Sequence, residues 1–353
     1  MVRFSDIIKI KNKKDLKKTL GEGREREDRF RFSESPIFKK GDREKVSVEK
    51  SKTVNKSATI EVITYYEIFI EKIQNVKERV FNDMDIDPAP ILSDLKAVID
   101  KNIIEDIYKY AMSAVDDYEM MLVHSVDVTF TALMIGRGMN YDMKRLLRLG
   151  LAAFLENVGM YKIPGDILSA ERKLSGDEIK IVKSHPEKSY EILLSLGDKY
   201  KWLAETALSV HERADGSGYP SGIKGDEIPE LSSIIGLVDT YTAMIKDRPY
   251  RDKFMQTDAI KSIIEVSRSK FSDRILKAFL NQVSFFPVNS YVRLNNGSIA
   301  RVAATDSDRP LRPNVEILRD GKGNQLTNKE VISLADNPLL YIDATVNPDT
   351  LTI

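Results

Sequence analysis

Between about residue 59 and residue 285 the apolar side chains recur at steps of three and four, and beyond Pro287 they do not. A three-to-four step places side chains on one face of an α-helix, whereas strands alternate with a period of two. Ile60, Ile63, Tyr66, Ile70 and Ile73 form the first such stripe. Asp85 to Pro90 reads as a break, and helices are expected over 91–115, 117–138, 142–157, 175–195, 201–211, 231–246 and 256–280. Pro164, Pro186, Pro220, Pro229 and Pro249 fall between these segments or at their starts, where a residue without an N–H is tolerated. After Pro287 the run Tyr291-Val292-Arg293-Leu294, then Asn295-Asn296-Gly297, then Ser298 to Ala303 predicts strand, tight turn and strand. Val315 to Leu318 and Leu339 to Ile342 are further strand candidates. The expected fold is mainly α, a helical bundle with a short C-terminal β appendage.

Charge divides the chain. Residues 1–56 carry 18 Lys and Arg against 10 Asp and Glu, a net of +8, and the remainder balances this at −8. The basic segment has little sustained apolar pattern beyond one short amphipathic stretch, Phe4 to Leu16. It reads either as a flexible solvated linker or as a contact for an anionic partner, membrane surface or nucleic acid. The expected organisation is a flexible basic N-terminal segment (1–57), an N-terminal helical region (58–115), a main domain (116–286) and a β extension (287–353). No apolar run approaches the ~20 residues that span a bilayer. Met-Val-Arg-Phe-Ser-Asp lacks the apolar core of a secretory signal, so a cytoplasmic location is expected.

The chain has no cysteine, which excludes disulfides, thiolate–zinc sites and thiol catalysis. Any metal must be held by His, carboxylate or amide oxygen, and there are three histidines, His124, His185 and His211. His211 opens the run His-Glu-Arg-Ala-Asp-Gly-Ser-Gly-Tyr-Pro, whose two glycines and proline impose a fixed irregular loop after a helix. His185 precedes Pro186 at a second helix boundary. Asp239 sits within the apolar run from Ile234 to Val238, and a carboxylate buried there needs a cation or hydrogen bonds. His124 and Asp239 are thus read as metal ligands or as buried hydrogen-bonding residues. Glu156 is either a ligand or an exposed helix-terminal glutamate. Gly218, Tyr219 and Pro220 fix the shape of a loop.

These residues, over about 60–345, resemble the HD-GYP family of the HD superfamily, the cyclic di-GMP phosphodiesterases. The resemblance implies an HD-type helical bundle that binds two or three metals, usually iron or manganese. His124 matches the family's early His, His185-Pro186 its His-Pro, His211-Glu212 the second half of its His-His-Glu, and Asp239 its late Asp. Arg248-Pro249-Tyr250-Arg251 matches the substrate-proximal basic run, which with Tyr219 implies nucleotide binding by Tyr219, Arg248 and Arg251. Gly218-Tyr219-Pro220 matches the loop that names the family and implies an interaction surface.

The chain also departs from the family. Glu156-Asn157 stands where the His-Asp pair is expected, Met160 where a Lys is, Val210 where the first His of His-His is, and Thr242 where an Asp is. The implied metal set is therefore His124, Glu156, Asn157, His185, His211 and Asp239. A first pocket of His124, Glu156 and Asp239 suits one divalent iron or manganese ion better than the remaining residues suit a second. Asn157 is neutral and bridges two cations poorly. The expectation is a degenerate HD-GYP domain, impaired in catalysis, that binds cyclic di-GMP, a related nucleotide, a diguanylate cyclase with a GGDEF domain, or a second copy of itself. The competing readings are a slow phosphodiesterase with a reshaped site and a structural helical scaffold.

Overall fold

The computed structural model describes residues 56–113, 118–246, 256–266, 268–283, 286, 288–305, 309, 311–326 and 330–346. Residues 1–55 of the basic N-terminal segment and the run Arg248 to Arg251 lie outside them, and the segment's last two residues, Lys56 and Ser57, already belong to the first helix. No described helix is long and apolar enough to cross a membrane. The chain folds as two units, one of described residues 56–246 and 266–275, the other of 256–265 and 276–346.

The first unit is all helical. Helix α1 (Lys56–Phe81) is followed by α2 (Ala89–Asp100), α3 (Ile104–Ser113), α4 (Met120–Gly138) and α5 (Met143–Leu155). Helix α1 buries Val62, Tyr66, Phe69, Ile70, Ile73, Val76 and Val80, the stripe that its period implies. Ile60, which the sequence places in that stripe, is 60% exposed, and Val62 takes the first buried position instead. Phe69 meets Phe130 of α4 and Phe154 of α5 edge-on, with ring centroids 5.1 and 5.7 Å apart. Each such pair adds about 0.5–1.5 kcal/mol beyond the area it buries. From Leu122 to Gly136 every residue of α4 is buried, so this helix is central and not amphipathic.

Short α6 (Gly165–Leu168), α7 (Gly176–Lys183), α8 (His185–Leu194), α9 (Lys201–Ser209) and α10 (Glu230–Ile245) complete the helices before residue 247. Helix α10, like α4, is buried almost all round, and the two pack together. Three expected helices are divided, and the 256–280 segment is two helices, Gln256–Val266 and Asp273–Gln282. The 91–115 segment breaks at Asn102, whose φ of 55° is left-handed and ends α2. The 175–195 segment breaks at Ser184 because Pro186 has no N–H to give the carbonyl four residues back.

The second unit carries α11 (Gln256–Val266), the larger part of α12 (Asp273–Gln282), and a sheet of β1 (Tyr291–Leu294), β2 (Ile299–Ala304), β3 (Asn314–Arg319), β4 (Val331–Ser333) and β5 (Ile342–Val346). Strand order is β4-β3-β2-β1-β5, and every neighbouring pair is antiparallel. Gly297 turns the β1–β2 hairpin at a φ of 86°. The expected strand at 339–342 starts later, at Ile342, and three-residue β4 is too short for an alternation signal. The fold is mainly α with a small C-terminal antiparallel sheet.

Candidate metal centre

Three helix positions meet in the core of the first unit. His124 lies in the first turns of α4, Glu156 caps the C-terminus of α5, and Asp239 lies past the middle of α10. His124 Nε2 is 2.9 Å from Asp239 Oδ1. One donor atom from each of His124, Glu156 and Asp239 falls within 4.8 Å of the others. Glu156 is 1% exposed, which removes the reading of an exposed helix-terminal glutamate. Glu156 Oε2 and Asp239 Oδ2 are buried with no hydrogen-bond partner among the described residues. Such oxygens are costly to bury without compensation. Two carboxylates and an imidazole, with carboxylate oxygens left over, fit a divalent cation.

The electrostatics fit the same cation. Burial, reinforced by the neighbouring Asp239 charge, holds the Glu156 carboxyl well above the usual carboxylate range, against a smaller pull from the Asn157 amide. Burial also pushes Asp239 upward. The His124 hydrogen bond and electrostatic attraction to His211, His124 and Arg213 outweigh it and keep Asp239 well below that range. Of the two carboxyls sharing this buried site, Glu156 thus holds a proton the more tightly and Asp239 ionises the more readily.

His185 and His211 form a second group beside the first. Pro186 frees the carbonyl of Val182, and His185 Nδ1 donates to it at 2.7 Å. A carbonyl accepts only, so that proton is on Nδ1 and the Nε2 lone pair faces outward. His211 Nε2 lies 2.8 Å from it. His211 Nδ1 lies 3.9 Å from Asp239 Oδ2, which joins this pair to the first group. Burial lowers His185 to about 4 and His211 well below the usual imidazole value, so both are neutral near pH 7. A neutral imidazole held through Nδ1 is the form that ligates metals.

The loop after α9 is shaped around these rings. Tyr219 N donates to His211 O at 3.2 Å, and the Tyr219 and His211 rings stack with centroids 5.0 Å apart and planes 2° apart. Lys183 Nζ lies 5.0 Å from the centre of the Tyr219 ring. Glu212 Oε1 accepts from Ser221 N and Gly222 N at 2.7 and 3.0 Å. A Cβ on Gly218 would fall 2.4 Å from Glu212 Cα, so only glycine fits there. Pro220 follows Tyr219 across a cis peptide bond.

The departures from the family pattern have structural correlates. Asn157 Nδ2 donates to Glu156 Oε1. Val210 is fully buried, and its carbonyl takes Arg213 Nη1 at 2.9 Å. Met160 packs against the apolar cluster of Ile163, Ile167 and Val182. Thr242 turns its hydroxyl back onto the Val238 and Asp239 carbonyls at 3.0 and 3.2 Å. Arg248 and Arg251, expected to bind nucleotide, lie outside the described residues. Ser189 was not legible in advance. Its hydroxyl donates to Glu156 O at 2.8 Å and accepts from Gly159 N at 2.9 Å, tying α8 to the end of α5, and a serine on a helix gives no sequence signal of that role.

A family model described as an HD domain matches residues 109–275, and one described as a KOW domain associated with HD domain matches 291–353. The chain is 31% identical over 202 residues to the cyclic di-GMP phosphodiesterase PdeB of Borreliella burgdorferi, covering 57% of this chain and 53% of that one. It is 28% identical over 219 residues to a cyclic di-GMP phosphodiesterase of Pseudomonas aeruginosa, covering 62% and 52%. A 3'3'-cGAMP-specific phosphodiesterase of Vibrio cholerae is 29% identical over 175 residues, 50% of this chain and 38% of that one. The chain spans about half the length of the first two curated relatives. A solved HDG"Y"P protein from Bdellovibrio bacteriovorus superposes with a TM-score of 0.47 at 15% identity, covering 65% of this chain and 73% of that one.

Proposed function

This chain belongs to the HD-GYP family, and on that footing we propose that it serves bacterial cyclic di-GMP signalling in the cytoplasm as a catalytically impaired member. Its role is to bind the nucleotide, or a partner such as a GGDEF diguanylate cyclase, across the Gly218-Tyr219-Pro220 loop. The assignment of 116–286 as the HD-GYP domain, after a helical region from 58 and before a β extension from 287, belongs to the same reading.

The observation that carries it is that Asn157 and the fully buried Val210 stand where two ligands are expected. His124, Glu156 and Asp239 would hold one divalent ion, iron or manganese, with Asn157 as a weak fourth ligand. His185 and His211 would contribute to a second ion, but Val210 offers no donor and Asn157, a neutral amide, offers one oxygen and no charge. In two-metal phosphodiester hydrolysis the ions activate the attacking water and steady the attacking and leaving oxygens. In this chain Asp239, paired with His124, holds the negative charge of the site, Tyr219 and His211 form an aromatic wall beside it, and Arg248 and Arg251 are the phosphate-binding candidates. Met160 supplies no charge to the phosphate.

Metal content decides between this and the second reading, a slow phosphodiesterase with a reshaped site. That alternative is favoured by the contact of the His185–His211 pair with Asp239. Protein purified with manganese or iron in excess should retain close to one ion per chain and bind cyclic di-GMP without hydrolysing it. Two tightly held ions with turnover would favour the alternative. No metal and no nucleotide binding would leave a helical scaffold.

A further inference from the structure

A groove of about 590 Å³ runs between the N-terminal half of α5, the start of α9 and Leu92 of α2. Leu92, Met143, Leu147 and Leu151 make its apolar lining, and Trp202, the only tryptophan of the chain, stands in its wall. Its volume lies within the range of small-molecule sites. Three cations line it, Lys144, Arg148 and Lys199, and no acidic residue does. Among the described residues none of the three forms an ion pair with a carboxylate. The Arg148 guanidinium lies over the Trp202 ring, 4.2 Å from its centre, and Arg148 Nε is buried with no hydrogen-bond partner among the described residues.

The placement of these charges does not serve the helix. Asp142 caps the N-terminus of α5 through a bond from Arg145 N, but the first turn itself holds Lys144 and Arg145 and no acidic residue, although the positive end of a helix dipole disfavours cations. Arg145 is accounted for by Glu230, 3.1 Å away. Lys144 and Arg148 are not, and a buried guanidinium donor without an acceptor asks for one. An apolar floor, an aromatic wall and uncompensated cations together suit a ligand with an apolar body and an anionic head.

We propose that this groove is a binding site for an amphipathic organic anion, a small molecule with an acyl or aromatic body and a carboxylate, sulfonate or phosphate head. The head lies at Arg148 and Lys144, and the body lies along Leu147, Leu151 and Trp202. The site is separate from the metal centre and independent of the function proposed above. Its walls nonetheless continue into that centre: α5 ends at Glu156, and α9 leads through Val210 to His211. A ligand seated in the groove touches both helices.

Trp202 reports occupancy. The full chain is titrated with sodium decanoate and with 1-anilinonaphthalene-8-sulfonate, following tryptophan fluorescence, with neutral decanol as the control. Saturable quenching by at least one anion, at least about tenfold weaker for decanol, is expected. Decanoate alone would identify an acyl body, the sulfonate alone an aromatic one. The double variant Lys144→Gln with Arg148→Gln should weaken the response by about tenfold or more, while Lys180→Gln, exposed on α7, should not. If the double variant does not fold, Lys199→Gln, at an exposed position, should weaken it in the same direction. Absence of saturable quenching, equal binding of decanol, or quenching unchanged in the groove variants would overturn the proposal.

Discussion

His185 and His211 point their Nε2 atoms at one another across 2.8 Å, and a missing backbone hydrogen bond arranges it. Because Pro186 cannot donate, the Val182 carbonyl accepts the His185 ring, which sets both its tautomer and its direction. In the metal-free protein burial keeps this imidazole neutral, with its value lowered to about 4 from a usual 6.5.

That shift has a measurable consequence. The unfolded chain takes up a proton at His185 below about pH 6.5 and the folded chain does not until about pH 4, so folding stability falls as pH drops through that window. The contribution is up to about 3 kcal/mol. Glu156 acts in the opposite sense. Its raised folded value adds stability below the usual 4.5, which is lost as pH rises. Urea unfolding of chelator-treated Glu156→Gln protein should therefore show stability rising from pH 4 to 6.5. Adding His185→Gln should reduce that rise to the part that His211 contributes; an unchanged slope would show that His185 does not titrate as described.

Metal binding should release a proton. Glu156 holds its proton more tightly than an ordinary carboxyl in the metal-free site, and a carboxylate must be ionised to ligate. Manganese titrations in two buffers of different ionisation heat should reveal the release, with affinity rising with pH. Glu156→Gln should abolish both the release and tight binding, and retention of tight binding would remove Glu156 from the ligand set.

Gly159 permits the approach of α8 to the end of α5. A Cβ there would lie 2.1 Å from the His185 carbonyl and 2.5 Å from Ser189 N, both backbone atoms. Gly159→Ala should cost roughly 1–3 kcal/mol of stability, measured by denaturant unfolding, and should weaken metal binding by displacing His185. A stable variant with unchanged metal affinity would show that this contact does not position the site.

Restoring the absent groups should act in sequence. Asn157→Asp with Val210→His should raise bound metal toward two ions per chain, measured by elemental analysis. Hydrolysis of cyclic di-GMP should appear only when Glu156→His or Met160→Lys is added, since water activation requires the ions and substrate orientation requires the further group. Val210 is fully buried, so introducing an imidazole there will also lower stability.

The helical period of α1 was legible because it follows from apolar spacing alone, whereas α4 and α10 are buried almost all round and carry no single apolar stripe. Helix ends depended on single residues: the left-handed Asn102 and the pyrrolidine of Pro186 interrupt segments whose hydrophobic pattern is continuous. At the site, His124, Glu156, His185, His211 and Asp239 were identifiable by residue type and by the loop from His211 to Pro220. Ser189 was not, because its importance lies in two hydrogen bonds across 30 and 33 residues. Nor was the groove at Trp202, where three cations scattered over 56 residues meet only in the fold.

The most direct test is hydrolysis of cyclic di-GMP by the unmodified chain loaded with manganese or iron, run beside equilibrium binding of the same nucleotide. Saturable binding without product over the course of the assay is the expected result. Sustained metal-dependent turnover would contradict it, and would make Glu156 and Asn157 working ligands of an altered but active phosphodiesterase.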